Sequence, residues 1–306
     1  MKVIVTGASG FIGSWFCRRF NGELDIIALS RKRIRPIYDF RGRVTRADIR
    51  RINSLLKLEK RLNLSEEDII LHLAAMSDIK ECNERPLDAI ETNVLGTANL
   101  LELARRNNMK FVFASSCKVY GSQNKATERS PLKGGTIYAN SKIIAEKLIE
   151  SFADNYSLNA VILRFSNVYG AFDRSETRLM PNIIRALKYN RVLQLSNKGK
   201  DKRDFIYVKD VISAIEKIVS KIESIKRGDV FNIASSRKEK IIEPVKIAED
   251  LTGRKIKIEF FDVPAKKEPK ISIAKAKRIL KWKPKYTLRK GIAETLFLEG
   301  LLPSKR

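Results

Sequence analysis

The stretch Thr6–Gly13, TGASGFIG, follows directly on the apolar run Lys2–Thr6, KVIVT, and runs into a helical pattern in which Ile12, Phe16 and Phe20 share one face. Glycines at 7, 10 and 13 in this setting have separate tasks. Gly7 permits a tight turn, Gly10 lets the backbone approach a pyrophosphate, and Gly13 lets helix and strand pack closely. The opening of the helix presents unpaired N–H groups to phosphates, so Gly7, Gly10, Phe11, Ile12 and Gly13 are candidate cofactor contacts. Further apolar runs recur at 25–29, 68–75, 110–116, 159–165 and 230–234, with helical stretches at 92–106 and 139–156. Runs that are apolar throughout fit parallel strands covered on both faces. Their alternation with helices predicts an α/β fold, a doubly wound parallel sheet. After about Asn167 the alternation weakens and prolines 181, 244, 264, 269 and 284 punctuate the chain. We expect residues 1–166 to form a dinucleotide-binding domain whose sheet is completed by about 203–235. Residues 167–202 and 236–306 would then form a smaller C-terminal substrate lobe.

With 306 residues, 43% hydrophobic and 31% charged, the chain can bury a sizeable core, which excludes a disordered or fibrous protein. No apolar run approaches the length of a membrane span, and the short N-terminal run followed by a glycine loop is unlike a signal peptide. Cys17, Cys82 and Cys117 are widely spaced and there is a single histidine, His72. That composition predicts a reduced, cytoplasmic protein with no metal site. The net charge of +26 is concentrated in 31–61 and 237–306. It admits three readings: nucleic-acid binding, a pocket for anionic substrates, or a solvated surface. The basic stretches lack the interleaved aromatics of a single-strand binder, so no specific nucleic-acid partner is expected.

The second strand ends in ALSRKR, Ala28–Arg33. An NAD site usually keeps an acid here for the ribose 2′-hydroxyl. Ser30 and Arg31 stand in its place, and an arginine fork suits a 2′-phosphate. NADP(H) is therefore the favoured cofactor, and the site also admits NAD(H). Asp48 and Ile49, at the end of a short third strand, are candidates for the adenine.

Tyr138 and Lys142 are four residues apart, which puts them on one helix face. An ammonium beside a phenol favours the phenolate, so the pair can accept a proton. They follow a strand ending in Ser115–Ser116, at the sheet edge where doubly wound folds bind ligands.

TGASGFIG, HLAA (72–75), NVLGT (93–97), SSCKVYG (115–121), YANSK (138–142), RFSNVYG (164–170), RDFIYVKDV (203–211) and LKWKPKYTLRKGIAET (280–295) occur in that order. Together they resemble the extended short-chain dehydrogenase/reductases, the nucleotide-sugar epimerase/dehydratase family built on the Rossmann fold. The resemblance implies Ser116, Tyr138 and Lys142 as the catalytic triad, with Lys142 also on the nicotinamide ribose. It implies Leu73, Ala74 and Ala75 along the cofactor, Asn93 as a cofactor-side asparagine, and a structural His72. It implies Ser77, Ser116, Cys117, Lys118 and Asn167 around the sugar, and Arg203 on the diphosphate of a nucleotide-diphosphate sugar. It also implies a homodimer formed by helices near 97–106 and 142–152, for which Leu100, Leu101, Leu103, Ala104, Ile143, Ile144 and Leu148 would supply the apolar surface.

Three departures sharpen the reading. Dehydratases of this family carry an acid pair just after the catalytic Ser/Thr, where this chain has Cys117 and Lys118. The ribose-binding acid is missing after strand two. The segment AKKEPK (265–270) lacks the glycine of the family's Arg-x-Gly-Asp/Glu motif and replaces its arginine by lysine. The expected activity is a nucleotide-sugar 4-epimerase working through a 4-keto sugar. The alternatives are an NADPH-dependent 4-ketoreductase and, more remotely, a non-catalytic redox-sensing or nucleic-acid-associated module on the same fold.

Overall fold

The structure is a computed structural model and describes residues 1–31, 40–264 and 267–303. Its centre is a seven-stranded parallel sheet. Across it the strands run Asp229–Ile233, Ala160–Phe165, Lys110–Ser116, Ile69–His72, Lys2–Thr6, Asp25–Ser30, Arg43–Arg46. The order reverses between the first strand and Ile69–His72, which makes a switch point beside the glycine loop. The inner strands are buried on both faces, as their uninterrupted apolar runs require, whereas the edge strand Arg43–Arg46 is largely exposed. Val3 and Val5 face one core with Phe16, Val211 and Ile215. Ile4 faces the other with Leu55, Leu100 and Ile149. The helices Phe11–Arg19 and Val208–Lys221 cover the first face, and Ile52–Leu62, Gly96–Arg106 and Ile137–Tyr156 the second.

Two expectations are refined. Of residues 203–235, only Asp229–Ile233 joins the main sheet. Phe205–Tyr207 instead pairs with Asn167–Tyr169 in a separate two-stranded sheet. The expected helix at 92–106 begins as a π-helical turn, Glu91–Leu95, before Gly96–Arg106. Gly96 is needed at the junction, because a Cβ there would sit 2.8 Å from the Ile49 side chain.

The apolar surface expected of the dimer helices is a correction. Leu100, Leu101, Leu103 and Ala104 are wholly buried in their own subunit. Burying each leucine stabilises this fold by about 1.5–3 kcal/mol, and none is left for a partner. Ile143 and Leu148 are half-buried against the core. The exposed apolar side chains in this region are Leu87, Ile90, Leu95, Ile144 and Tyr156.

Candidate functional site

Gly7 has φ +68°, and a Cβ on it would lie 2.7 Å from the Ala74 nitrogen. A Cβ on Gly13 would lie 2.2 Å from the Gly7 carbonyl oxygen. The turn and the close approach read from the sequence are thus both present. Gly10 is the N-cap of the helix and brings no capping side chain, so the N–H groups of the first turn, at Phe11 and Ile12, have no side-chain competitor from the cap. This cradle fits a pyrophosphate.

The wall opposite is the segment after Ile69–His72. Leu73 N–H donates to the Thr6 carbonyl at 3.3 Å and Ala74 N–H to Thr6 Oγ1 at 3.1 Å. Thr6 Oγ1 lies 2.8 Å from His72 Nδ1, and His72 Nε2 lies 3.0 Å from Thr97 Oγ1. Thr97 donates its own proton to the Asn93 carbonyl. Thr97 therefore accepts from His72 Nε2–H, and Thr6 donates to Nδ1. Burial, helped by Lys142, holds His72 neutral; it is structural, as expected. Asn93, buried on the π-helical turn, accepts from Met76 N–H at 2.8 Å and donates to the Met76 carbonyl and to Ser141. Its amide is engaged by the protein, so it serves the cofactor wall by pinning it. Ala75 and Ser77 lie half-buried on the same segment.

At the far end of the cofactor groove Arg31 is exposed and Ser30 half-buried. Arg46 donates to the Arg31 carbonyl at 3.2 Å. Asp48 is gripped by Arg50 at 2.8–3.2 Å, which lowers its carboxyl, with Arg31 adding a smaller effect. Ile49 is buried, and its carbonyl accepts from Asn99. Lys32 and Arg33, the neighbouring cations of the sequence, lie outside the described residues.

Ser116 ends the strand Lys110–Ser116 and caps the short turn Cys117–Tyr120, its Oγ accepting from Lys118 N–H at 3.2 Å. Thr136 caps the helix that carries Tyr138 and Lys142. Tyr138 and Ser116 meet at the carboxyl edge of the sheet, where the Ser116 hydroxyl bonds the phenol, and Lys142 reaches the carbonyl of Ala114, two residues before Ser116. Their electrostatics differ from the sequence expectation. Burial raises the Tyr138 phenol, and the groups working against it are the Ser116 hydroxyl and then Arg178. Lys142 donates to the Ala114 carbonyl at 2.8 Å and sits over the Phe113 ring. Burial pushes its ammonium down to about 7, opposed by Glu146. Cys117 donates to the Arg164 carbonyl at 3.3 Å, and burial raises its thiol well above the usual range.

The residues expected around the sugar and diphosphate gather round one carboxylate that the sequence reading missed. Glu268 pairs with Lys118, accepts from Asn167 Nδ2 at 3.0 Å, and lies 3.2 Å from Arg203 Nε. Lys238 donates to its backbone carbonyl. Asn167 and Arg203 are brought together because Asn167 donates twice to the carbonyl of Asp204, the residue after Arg203, from its N–H and its Nδ2. Glu268 arrives because Lys270–Ile271 pairs with Lys125–Ala126. Arg178, also missed, donates to Ser77 Oγ at 2.9 Å and to Asp173 at 3.2 Å. The only sequence signal for Glu268 was its place in the altered 265–270 segment, of which 265–266 lie outside the described residues.

The NAD dependent epimerase/dehydratase family matches residues 3–234. The chain belongs to this family. Its relatives there include an uncharacterized UDP-glucose epimerase of Bacillus subtilis, YtcB, 30% identical over 325 residues that span 98% of this chain and 99% of that one. Among solved structures, a dTDP-glucose 4,6-dehydratase of Bacillus anthracis in complex with NAD is 28% identical, with TM-score 0.84 over 97% of this chain and 96% of that one. A UDP-glucose 4-epimerase of Thermus thermophilus in complex with NAD has TM-score 0.89 at 24% identity, covering 98% and 99%, and so shares the fold. As a member of the epimerase/dehydratase family the chain is a nicotinamide-nucleotide-dependent enzyme of the extended short-chain type. No helix among the described residues is long and apolar enough to cross a membrane.

Proposed function

We propose that the protein is a nucleotide-sugar 4-epimerase. The observation that carries the reading is the convergence of Ser116, Tyr138 and Lys142 at the sheet edge, with Cys117 and Lys118 standing where dehydratases of the family keep their acids. A bound nicotinamide nucleotide would supply the hydride acceptor and donor at sugar C4. Gly7, Gly10, Phe11, Ile12, Gly13, Leu73, Ala74 and Ala75 would hold that nucleotide. Ser116 orients the sugar 4-hydroxyl. Tyr138 takes its proton as the carbonyl forms and returns it when the alcohol is remade, on either face of the sugar. Lys142, one turn on and held at the Ala114 carbonyl, would bind the nicotinamide ribose, while the Ser116 hydroxyl and Arg178 favour the phenolate. Lys118, Asn167 and Arg203, organised by Glu268, would receive the sugar and its diphosphate, and Ser77 with Arg178 would close the opposite side.

A second reading, a 4-ketoreductase using NADPH, rests on Arg31, exposed at the end of the second strand where no carboxylate would repel a 2′-phosphate. One experiment separates them. Incubate the protein with UDP-glucose and catalytic NAD or NADP and follow the sugar by NMR. Epimerisation without net cofactor consumption supports the first reading. Stoichiometric oxidation of NADPH on a 4-keto sugar supports the second, and neither reaction across a panel of nucleotide sugars would sink both. We further propose a homodimer through the face bearing Leu87, Ile90, Leu95 and Ile144, since an apolar patch of this kind implies a partner. A monomer in sedimentation at micromolar concentration contradicts it.

A further inference from the structure

We propose that the buried ion pair of Glu146 and Arg164 is a positioning device for Lys142: it fixes the roll of the helix Ile137–Tyr156 on the sheet and supplies the negative charge that the lysine faces. The inference rests on the reading of Lys142 as part of the proton-transfer site. Glu146 follows Lys142 by four residues on one helix face. Arg164, on the adjacent strand Ala160–Phe165, reaches it from Nη2 at 2.6 Å and from Nε at 3.0 and 3.2 Å, and both side chains are only 5% exposed. Ser115, the neighbour of Ser116, donates to the same carboxylate. Arg164 also donates to the Tyr120 hydroxyl at 2.9 Å, and that hydroxyl donates to Asn232 Oδ1 at 2.6 Å. Tyr120 closes the turn that Ser116 opens. One buried chain thus joins the helix bearing Tyr138 and Lys142 to the strand and turn bearing Ser116, and to two strands beyond.

Stability alone does not account for such a pair. Taking two charges out of water costs about as much as their attraction returns, and apolar replacements often do as well. The placement beside Lys142 does account for it. The titratable groups acting on Lys142 are Glu146 from its own helix and Cys82 from the helix Ile79–Glu84, while His72 faces it from the sheet. Burial keeps His72 neutral and pushes the Cys82 thiol up to about 11. At neutral pH the carboxylate of Glu146 is therefore the anion that supports the ammonium against its burial.

The test is the pH profile of kcat at saturating substrate, with melting temperatures recorded beside it. Turnover that needs the ammonium is lost as pH rises through the pKa of Lys142. Glu146→Gln should move that limb to lower pH by about one unit, which is roughly a tenfold loss of kcat above the limb, with KM little changed. Glu146→Asp keeps the charge and should return the limb to its wild-type position. Should Glu146→Gln not fold, the double variant Glu146→Gln/Arg164→Met removes the guanidinium left unpaired by the first change and should move the limb in the same direction, since Glu146 acts on Lys142. The proposal is overturned if the limb of an active variant lacking Glu146 stays in place, or if Glu146→Asp moves as far as Glu146→Gln. Failure of the underlying reading looks different: Lys142→Met would then retain full turnover.

Discussion

Gly7 and Gly13 shape the cofactor end of the cleft through backbone contacts within a few residues or across one strand pair, whereas the substrate end depends on side chains brought from four separate segments. Lys118 meets Glu268 across 150 positions of sequence, and Asn167 meets it across 101. Gly7 and Gly13 tolerate no Cβ, so this part of the loop is written in residue type. The substrate cluster is held by charge-assisted bonds whose partners lie far apart in the chain. The contrast separates a backbone cradle, which residue type at short spacing can encode, from a set of ions around one carboxylate, which it cannot.

The largest expected effect tests the seam between the two ends. Tyr138→Phe should reduce turnover by roughly 10²–10⁴, the range of a general acid–base group, while cofactor affinity survives. Near-normal turnover would remove Tyr138 from the mechanism. At the cofactor end, a hydrogen bond from Arg31 to a charged phosphate contributes about 1.5–3 kcal/mol. That corresponds to roughly a 10- to 150-fold preference for NADP(H) over NAD(H), towards the low end because the side chain is exposed and salt screens it. Titrating both cofactors into the stripped protein and into Arg31→Ala checks this, and an unchanged ratio makes Arg31 a bystander.

At the substrate end, Glu268→Ala should raise KM for the nucleotide sugar by about tenfold, roughly 1.4 kcal/mol. Lys118 and Arg203 lose the carboxylate that aligns them, and like charges are left side by side. Michaelis–Menten analysis that finds KM unchanged would make the cluster a surface feature rather than a receptor. The smallest effect returns to the cofactor wall. His72 is held neutral in the fold, with its pKa well below the usual value, so the unfolded chain binds the extra proton first. Stability should therefore fall as pH drops below about 6.5, by at most about 1.4 kcal/mol per pH unit from this group. Melting temperatures of wild type and His72→Gln between pH 7 and pH 5 should converge as the pH falls; parallel curves would show that His72 is not the group responsible.

Much of the fold was legible because its signals are local. A strand buried on both faces must be apolar throughout, and an uncapped helix after a glycine turn has its own spacing, so the sheet and the cofactor loop could be read from KVIVTGASGFIG and the later apolar runs. The spacing of Tyr138 and Lys142 is likewise a property of one helix. The dimer surface was misjudged for the same reason. Leu100, Leu101 and Leu103 look surplus on a helical wheel, yet the sheet and the neighbouring helices bury all of them.

By itself the sequence determined the doubly wound architecture, the glycine loop and the placement of Tyr138 and Lys142 on one helix face. Each of these depends on residue type at short spacing or on the period of a single element. Only the tertiary structure decided that Asn93 works by pinning Met76, that Glu268 gathers Lys118, Asn167 and Arg203, and that Glu146 and Arg164 stand behind Lys142. It also decided that burial, Ser116 and Arg178, rather than Lys142, govern the Tyr138 phenol. Electrostatic effects depend on distance in space and on burial, and neither is a function of separation along the chain.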